Sequence, residues 1–386
     1  MKVYLDNAAT TKLDKRVLEA MMPFLKEKYG NASSIHSLGK EAREAVENAR
    51  KKIAKKLNCE AEEVVFTSGG TEANNFALKG IAIANRQKGK HIIVSKIEHP
   101  CILETAKFLA KEGFDVSYLN VNKEGIVKLE ELEEIIRKDT ILVSIMHANN
   151  EIGTIQPIKE VAKLCKEKGI YFHTDACQSF TKEGLNMKKF GVDLVTINAH
   201  KIHGPKGVGA LVIKENVKIE PLLHGGGHEL GKRSGTYNVP SIVGFGKAVE
   251  IANDAENERI RKLRDLLIER VLDEIEDVKL NGSREKRLCN NANFAFAHIE
   301  SESLLFRLDS KGVYCSAASA CASERLKASH VLIAIGLSDE YIHGSLRMTL
   351  GRYNTKEEIE YAVECLKQEV SALRKISKVL GCMGKK

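Results

Sequence analysis

Tyr171-Phe172-His173-Thr174-Asp175-Ala176-Cys177-Gln178 and Val195-Thr196-Ile197-Asn198-Ala199-His200-Lys201-Ile202-His203-Gly204-Pro205-Lys206-Gly207 decide the fold. Each is an apolar run that ends on ionisable residues, Asp175 in the first and His200-Lys201 in the second. In an α/β protein the carboxyl ends of strands deliver such side chains into a ligand crevice. Similar β-branched runs lie on both sides, at 63–67, 91–95, 116–119, 140–145 and 209–213, and Lys-rich amphipathic stretches separate most of them. That alternation predicts a mainly parallel seven-stranded sheet covered on both faces, in a large domain over residues 15–255. A helical stretch, Asn257 to Asp277, then leads into short strands at 278–280, 293–296, 313–315 and 347–349 and a closing helix from Thr355. These form a smaller α+β domain made of residues 1–14 and 256–386. No repeat, low-complexity tract or Pro-rich linker separates the two, which predicts that they associate rigidly.

The composition fits a folded protein with substantial cores: 386 residues, 43% hydrophobic and 29% charged. The net charge of +8 comes from 60 basic against 52 acidic residues. The charges alternate along Lys40 to Lys56 and Arg259 to Asp277, which read as solvated helix faces and not as a nucleic-acid surface. Nine cysteines stand at 59, 101, 165, 177, 289, 315, 321, 365 and 382 with no CxxC pair, so neither a disulfide framework nor a zinc module is expected. The N-terminus turns polar too soon for a signal peptide and no apolar run reaches a membrane span's length, which predicts a cytoplasmic protein.

Ser68-Gly69-Gly70-Thr71-Glu72 follows a strand and opens a helix, so bare backbone N–H groups and the Thr71 hydroxyl offer a phosphate seat. It is neither the dinucleotide GxGxxG nor the P-loop GxxxxGK, which leaves a single phosphate as the better guest. Asp175 alone would be an ordinary helix cap and Lys201 alone an ordinary surface lysine. Together, at the ends of successive strands, they offer pyridoxal phosphate its two requirements: a carboxylate for the ring nitrogen and a lysine to bind the aldehyde as a Schiff base. His200 either caps its strand or reaches the phosphate. His99 either stacks on the cofactor ring and shuttles protons or is a hydrogen-bonded loop histidine. Asn150, in Asn149-Asn150-Glu151, is either an Asx-turn residue or a donor to the phenolic oxygen or a substrate carboxylate. His224-Gly225-Gly226-Gly227-His228 is rejected as a metal site, because three glycines make the chelating helix improbable.

Cys321 lies in the small-residue run Ser316 to Glu324, expected to be a mobile surface loop on which a thiol can travel. Cys165, Cys177 and Cys365 read as buried and inert. Cys315 is expected to be structural, or else a second sulfur carrier. Arg347 is either a solvent-facing strand residue or a bidentate clamp for an amino-acid carboxylate.

As a set these motifs resemble the cysteine desulfurases of the NifS/IscS type, in the class V aminotransferase group of the fold type I pyridoxal-phosphate enzymes. The match runs nearly end to end, through Tyr4-Leu5-Asp6-Asn7-Ala8-Ala9-Thr10-Thr11, Asn31-Ala32-Ser33-Ser34-Ile35-His36, Thr67 to Glu72, His173 to Gln178, Ala199-His200-Lys201, Arg233-Ser234-Gly235-Thr236 and Ser319-Ala320-Cys321-Ala322-Ser323. The resemblance implies that Lys201 binds the cofactor and Asp175 pairs with its ring nitrogen. Gln178 and Asn150 would meet the phenolic oxygen, and His99 would stack on the ring. Gly70, Thr71, His200 and, from a partner subunit, Thr236 would hold the phosphate. Arg347 would bind the substrate carboxylate and Cys321 would take the sulfur as a persulfide. L-Cysteine would become alanine, and the sulfur would pass to an iron–sulfur scaffold protein. Asn198 stands where relatives often carry serine; its amide can still donate to phosphate, so altered cofactor retention is the expected consequence. Two other readings share these residues: a selenocysteine lyase, and a catalytically quiet assembly platform in which Cys321 binds a scaffold partner or ligates its cluster. A homodimer is expected in each case.

Overall fold

A computed structural model of the protein describes residues 1–317 and 328–383. Its strands, in chain order, are β1 (Val3–Tyr4), β2 (Val64–Thr67), β3 (His91–Ser95), β4 (Asp115–Leu119), β5 (Thr140–Ser144), β6 (Tyr171–Asp175), β7 (Leu194–Asn198), β8 (Gly209–Ile213), β9 (Val278–Leu280), β10 (Asn291–Phe296), β11 (Val313–Tyr314) and β12 (Ser345–Thr349). The seven expected β-runs, β2 to β8, form one sheet in the order β2-β8-β7-β6-β5-β3-β4. Only β8 runs against the others, pairing antiparallel with both β7 and β2.

The sheet is buried on both faces, and the period of two shows it. Val64 and Phe66 of β2 and Ala210 and Val212 of β8 enter one apolar cluster, while Val65, Leu211 and Ile213 enter another on the opposite face. The helices Ser37–Leu57 and Val239–Ile251 cover the first face, and Gly70–Ala84 with Pro100–Lys111 the second. A third cluster joins Val3 and Leu5 to Ile260, Leu267, Phe294, Phe296, Leu346, Met348, Ile359 and Leu366. β10 pairs antiparallel with β9 and β12, and β1 pairs parallel with β11.

Two expectations need correction. The helix expected from Asn257 to Asp277 spans Asp254–Glu274, because the Asn253 side chain accepts from the Glu256 N–H and starts the helix earlier. Nor are the charged helical faces wholly solvated. Arg50 is buried and doubly bonded to buried Glu229, and Arg264 is buried with Nη1 donating to the Leu288 carbonyl at 2.6 Å. Among the described residues no helix is long and apolar enough to cross a membrane, and no group of three potential metal ligands occurs.

Candidate active site

The carboxyl ends of the parallel strands surround a cavity of about 260 Å³. After β2 come Gly70, Thr71 and Asn74; after β3, His99 and Cys101; after β5, Asn150; at the end of β6, Asp175, followed by Cys177 and Gln178; at the end of β7, Asn198, followed by His200 and Lys201. Ala8, Ala9 and Arg347 close the remaining side. Asp175 and Lys201 thus face one cavity. Neighbouring strands put them there: Asp175 pairs with Thr196 in the β6–β7 register, and Lys201 follows Thr196 by one short turn.

Asp175 is buried and held by two uncharged donors, Asn74 Nδ2 on Oδ2 at 2.7 Å and the Cys177 N–H on Oδ1 at 2.9 Å. Lys201 Nζ donates to the carbonyls of Ala8 and of Ala9, the latter at 2.8 Å. Burial, and next the Arg347 cation, hold its amine down to about 8. Gln178 Nε2 also reaches the Ala8 carbonyl, at 3.0 Å. The N-terminal segment therefore lies across the site, where apolar patterning alone gave it no role.

At the other end of the cavity Gly70 opens the helix Gly70–Ala84. A Cβ there would stand 2.6 Å from Cys177 Sγ and 3.4 Å from Asn198 Nδ2, so only glycine lets the helix start come this close. Thr71 is exposed at the rim. Asn198 Oδ1 accepts from the Lys201 N–H at 3.4 Å, and the His200 ring lies 3.2 Å from Thr10 Oγ1. Burial holds His200 down to about 4. Thr236 is exposed and lies in a different hollow of this chain, with Ser68, Arg233 and Tyr237.

His99 caps the helix Pro100–Lys111, Nδ1 accepting from the Cys101 N–H at 3.2 Å. Arg347 on β12 is buried instead of facing solvent, because its strand is the middle of the layer between β10 and the loop after β11. Its Nη1 donates to the Asn150 carbonyl at 3.2 Å and its Nη2 to Asp6 Oδ1 at 3.0 Å. Its Nε is buried with no partner among the described residues.

Cys165, Cys177 and Cys365 are buried as expected, although Cys177 also lines the cavity. Burial pushes the Cys177 and Cys315 thiols up, and Asp175 and Asp6 respectively add to this. Cys321 lies outside the described residues. Sequence reading missed Asn74, Cys101, Glu98 and Asp6. Asn74 had a signal: it falls one helical turn after Gly70, on the face turned to the same pocket.

The family description "Aminotransferase class-V" matches residues 3–362. The cysteine desulfurase IscS of Dictyoglomus turgidum is 55% identical over 379 residues, covering 97% of this chain and 96% of that protein. The protein of the same name from Methanosarcina thermophila is 52% identical over 378 residues, covering 97% and 93%. Among solved structures, a NifS-like protein superposes with a TM-score of 0.90 at 41% identity, covering 96% of this chain and all of the other. SspA in complex with cysteine superposes with a TM-score of 0.83 at 36% identity, covering 92% and 100%. Matched over this much of its length, and carrying the acid and the amine on one cavity, the chain belongs to the class-V aminotransferase family, in its IscS/NifS branch of cysteine desulfurases.

Proposed function

We propose that the chain is a pyridoxal-phosphate-dependent cysteine desulfurase that converts L-cysteine to L-alanine. It passes the sulfur, through a persulfide on Cys321, to an acceptor for iron–sulfur cluster assembly. The observation that carries this reading is the convergence on one cavity of the Lys201 amine, the Asp175 carboxylate and a buried Arg347 guanidinium with an unused N–H.

The residues present fit the cofactor. Lys201, held near 8, can offer an unprotonated amine to an aldehyde close to neutral pH. Asp175 is bonded only by uncharged donors, which leaves its charge available to keep a ring N–H protonated. The glycine cradle at Gly70 admits a phosphate to backbone N–H groups at a helix start, with Thr71, Asn198 and His200 around it. Gln178 and Asn150 would meet the phenolic oxygen, and His99 would lie over the ring. Bound there, pyridoxal phosphate supplies an electron sink conjugated to the substrate α-carbon.

The protein's own groups do the rest. Arg347 Nε binds the α-carboxylate, and Lys201 Nζ accepts the α-proton. The Cys321 thiolate forms an S–S bond to the substrate sulfur while the substrate C–S bond breaks, its electron pair staying on carbon. Protonation of that carbon, and return of the proton held on Lys201 Nζ to the α-carbon, complete alanine for release, and the persulfide sulfur passes to an acceptor thiol. The exposed position of Thr236, away from this chain's cavity, supports a homodimer in which it serves the partner's phosphate site. The separate apolar cluster built from Val3 to Val370 supports a division into residues 15–255 and residues 1–14 with 256–386. Among the described residues the cysteines are unpaired, which supports a cytoplasmic setting.

Borohydride reduction after cofactor addition tests the reading. Wild type should retain the cofactor covalently, Lys201→Ala should not, and Cys321→Ser should stay yellow yet form no protein persulfide from cysteine. Intact trapping in Lys201→Ala, or persulfide on Cys321→Ser, would refute it.

A further inference from the structure

We infer that Asn74 and Cys101 are positioning residues that join Asp175 to His99 in one hydrogen-bonded chain and deliver His99 to the cavity as a neutral Nε2–H donor. The inference rests on the proposed use of this cavity for its chemical meaning, though not for its geometry.

Asn74 sets the direction of the chain. Its side-chain nitrogen lies 2.7 Å from Asp175 Oδ2 and 3.2 Å from Cys101 Sγ. An ionised carboxylate only accepts, so the amide must turn its NH₂ toward Asp175; the flipped amide would set Oδ1 against the carboxylate. That orientation makes Asn74 the donor to sulfur as well. Cys101 then keeps its own hydrogen for another acceptor, and His99 Nδ1 is 3.1 Å from Sγ. Burial pushes the Cys101 thiol up to about 12, so that hydrogen stays in place at neutral pH.

A second donor reaches the same nitrogen. Pro100 occupies the first position of the helix Pro100–Lys111 and has no N–H. The first free helical N–H is that of Cys101, and it donates to His99 Nδ1 at 3.2 Å. With the thiol and the backbone amide both directed at it, Nδ1 has to present its lone pair, and the proton of the neutral ring resides on Nε2. Protonating Nδ1 would break the helix cap and place a cation at the positive end of a twelve-residue helix. Four charged or titratable groups also act on the ring: Asp175 favours its protonation, while Lys201, His330 and Arg347 oppose it. His99 therefore gives a hydrogen bond from Nε2–H to a ligand in the cavity and does not take up a proton, which leaves Lys201 as the base.

Nitrogen-15 NMR of the full chain labelled at histidine tests this, with His99 assigned by the signals lost in His99→Gln. Spectra are taken before and after adding pyridoxal phosphate. From mildly acidic to mildly alkaline pH, Nδ1 of His99 should keep the shift of an unprotonated nitrogen and Nε2 that of a protonated one. Cys101→Ala removes one donor and should move the titration of His99 upward toward that of a free imidazole; Cys101→Ser restores a donor and should return it. A protonated Nδ1 in wild type, or identical titration of wild type and Cys101→Ala, would overturn the inference. In turnover, His99→Gln, whose amide N–H reaches the place of Nε2, should lose less kcat than His99→Asn at similar KM. Equal losses would also overturn it. Because the spectra are read without the cofactor too, a protein that never turns yellow would refute the desulfurase reading while leaving the tautomer assignment standing.

Discussion

Asp6 Oδ1 accepts from Arg347 Nη2 at 3.0 Å, so the arginine that faces the cavity is already paired with a carboxylate from the N-terminal segment. Its Nη1 is spent on the Asn150 carbonyl, which leaves Nε as the donor that the proposed substrate carboxylate would complete. A lysine at this position has neither the fork nor the second anchor. Arg347→Lys is expected to lower kcat/KM for cysteine about 10- to 150-fold, the loss of one charged hydrogen bond. Most of the change should fall on KM in steady-state kinetics, and an unaltered KM would dismiss the clamp.

Lys201 gives a pH signature of its own. Its amine is held near 8 by burial and by Arg347, below the ordinary lysine value. Since only the unprotonated amine attacks an aldehyde, the rate at which the protein turns yellow with added pyridoxal phosphate should rise with pH and level off just above that value. A midpoint beyond about 10, as for a solvated lysine, would contradict the burial argument.

Away from the site, the buried pair Arg50–Glu229 ties two distant segments together. Glu229 accepts from both terminal nitrogens of Arg50 at 2.8 Å and from the Phe66 N–H at 2.7 Å. Glu229→Ala strands the guanidinium in the interior and is expected to cost about 3–5 kcal/mol in denaturant unfolding. A loss below about 1 kcal/mol would show that water reaches Arg50.

The same pair marks where sequence reading stops. The seven strands of the main sheet were legible because runs such as Ile92-Ile93-Val94 and Leu142-Val143 are buried on both faces and carry that in their composition. The order of the strands was not, since the place of β8 between β2 and β7 depends on pairings far apart in the chain. Asp175 and Lys201 were legible because each closes an apolar run. Arg50 read as solvated because its charged neighbours are solvated; its burial is explained by the Val64 carbonyl and by Glu229, which lies far away in the sequence. Cys101 and Asp6 gave no local sign, because their importance lies in the partner and not in the spacing.

Glu98 provides the last test, through stability. Its carboxyl is fully buried beside His99, with Oε1 accepting from Ser95 Oγ at 2.6 Å and the Met146 N–H at 2.8 Å, and Oε2 without a partner among the described residues. Burial pushes it up to about 8, and Glu151, bonded to Ser329, up to about 7. Both bind a proton more tightly in the folded chain than in the unfolded one. Their contribution is therefore fully present below the unfolded carboxyl value and is lost as pH rises through about 7 to 8. His147 and His173, held down to about 4 by burial, work on the opposite limb: their contribution is present above the free imidazole value and is lost as pH falls toward 4. Lys182 and Lys201, both lowered to about 8, add stability only as pH rises beyond that value. The melting temperature should therefore pass through a maximum near about pH 6.5 and decline toward 8. Glu98→Gln keeps an acceptor for Ser95 and Met146 and cannot ionise. Because Glu98 adds a falling slope from its unfolded value of 4.5 up to about 8, the variant should flatten the declining limb and steepen the rise below about pH 6.5, as followed by calorimetry across that range. Parallel curves for the variant and wild type would mean that Glu98 is already ionised in the folded protein at acidic pH.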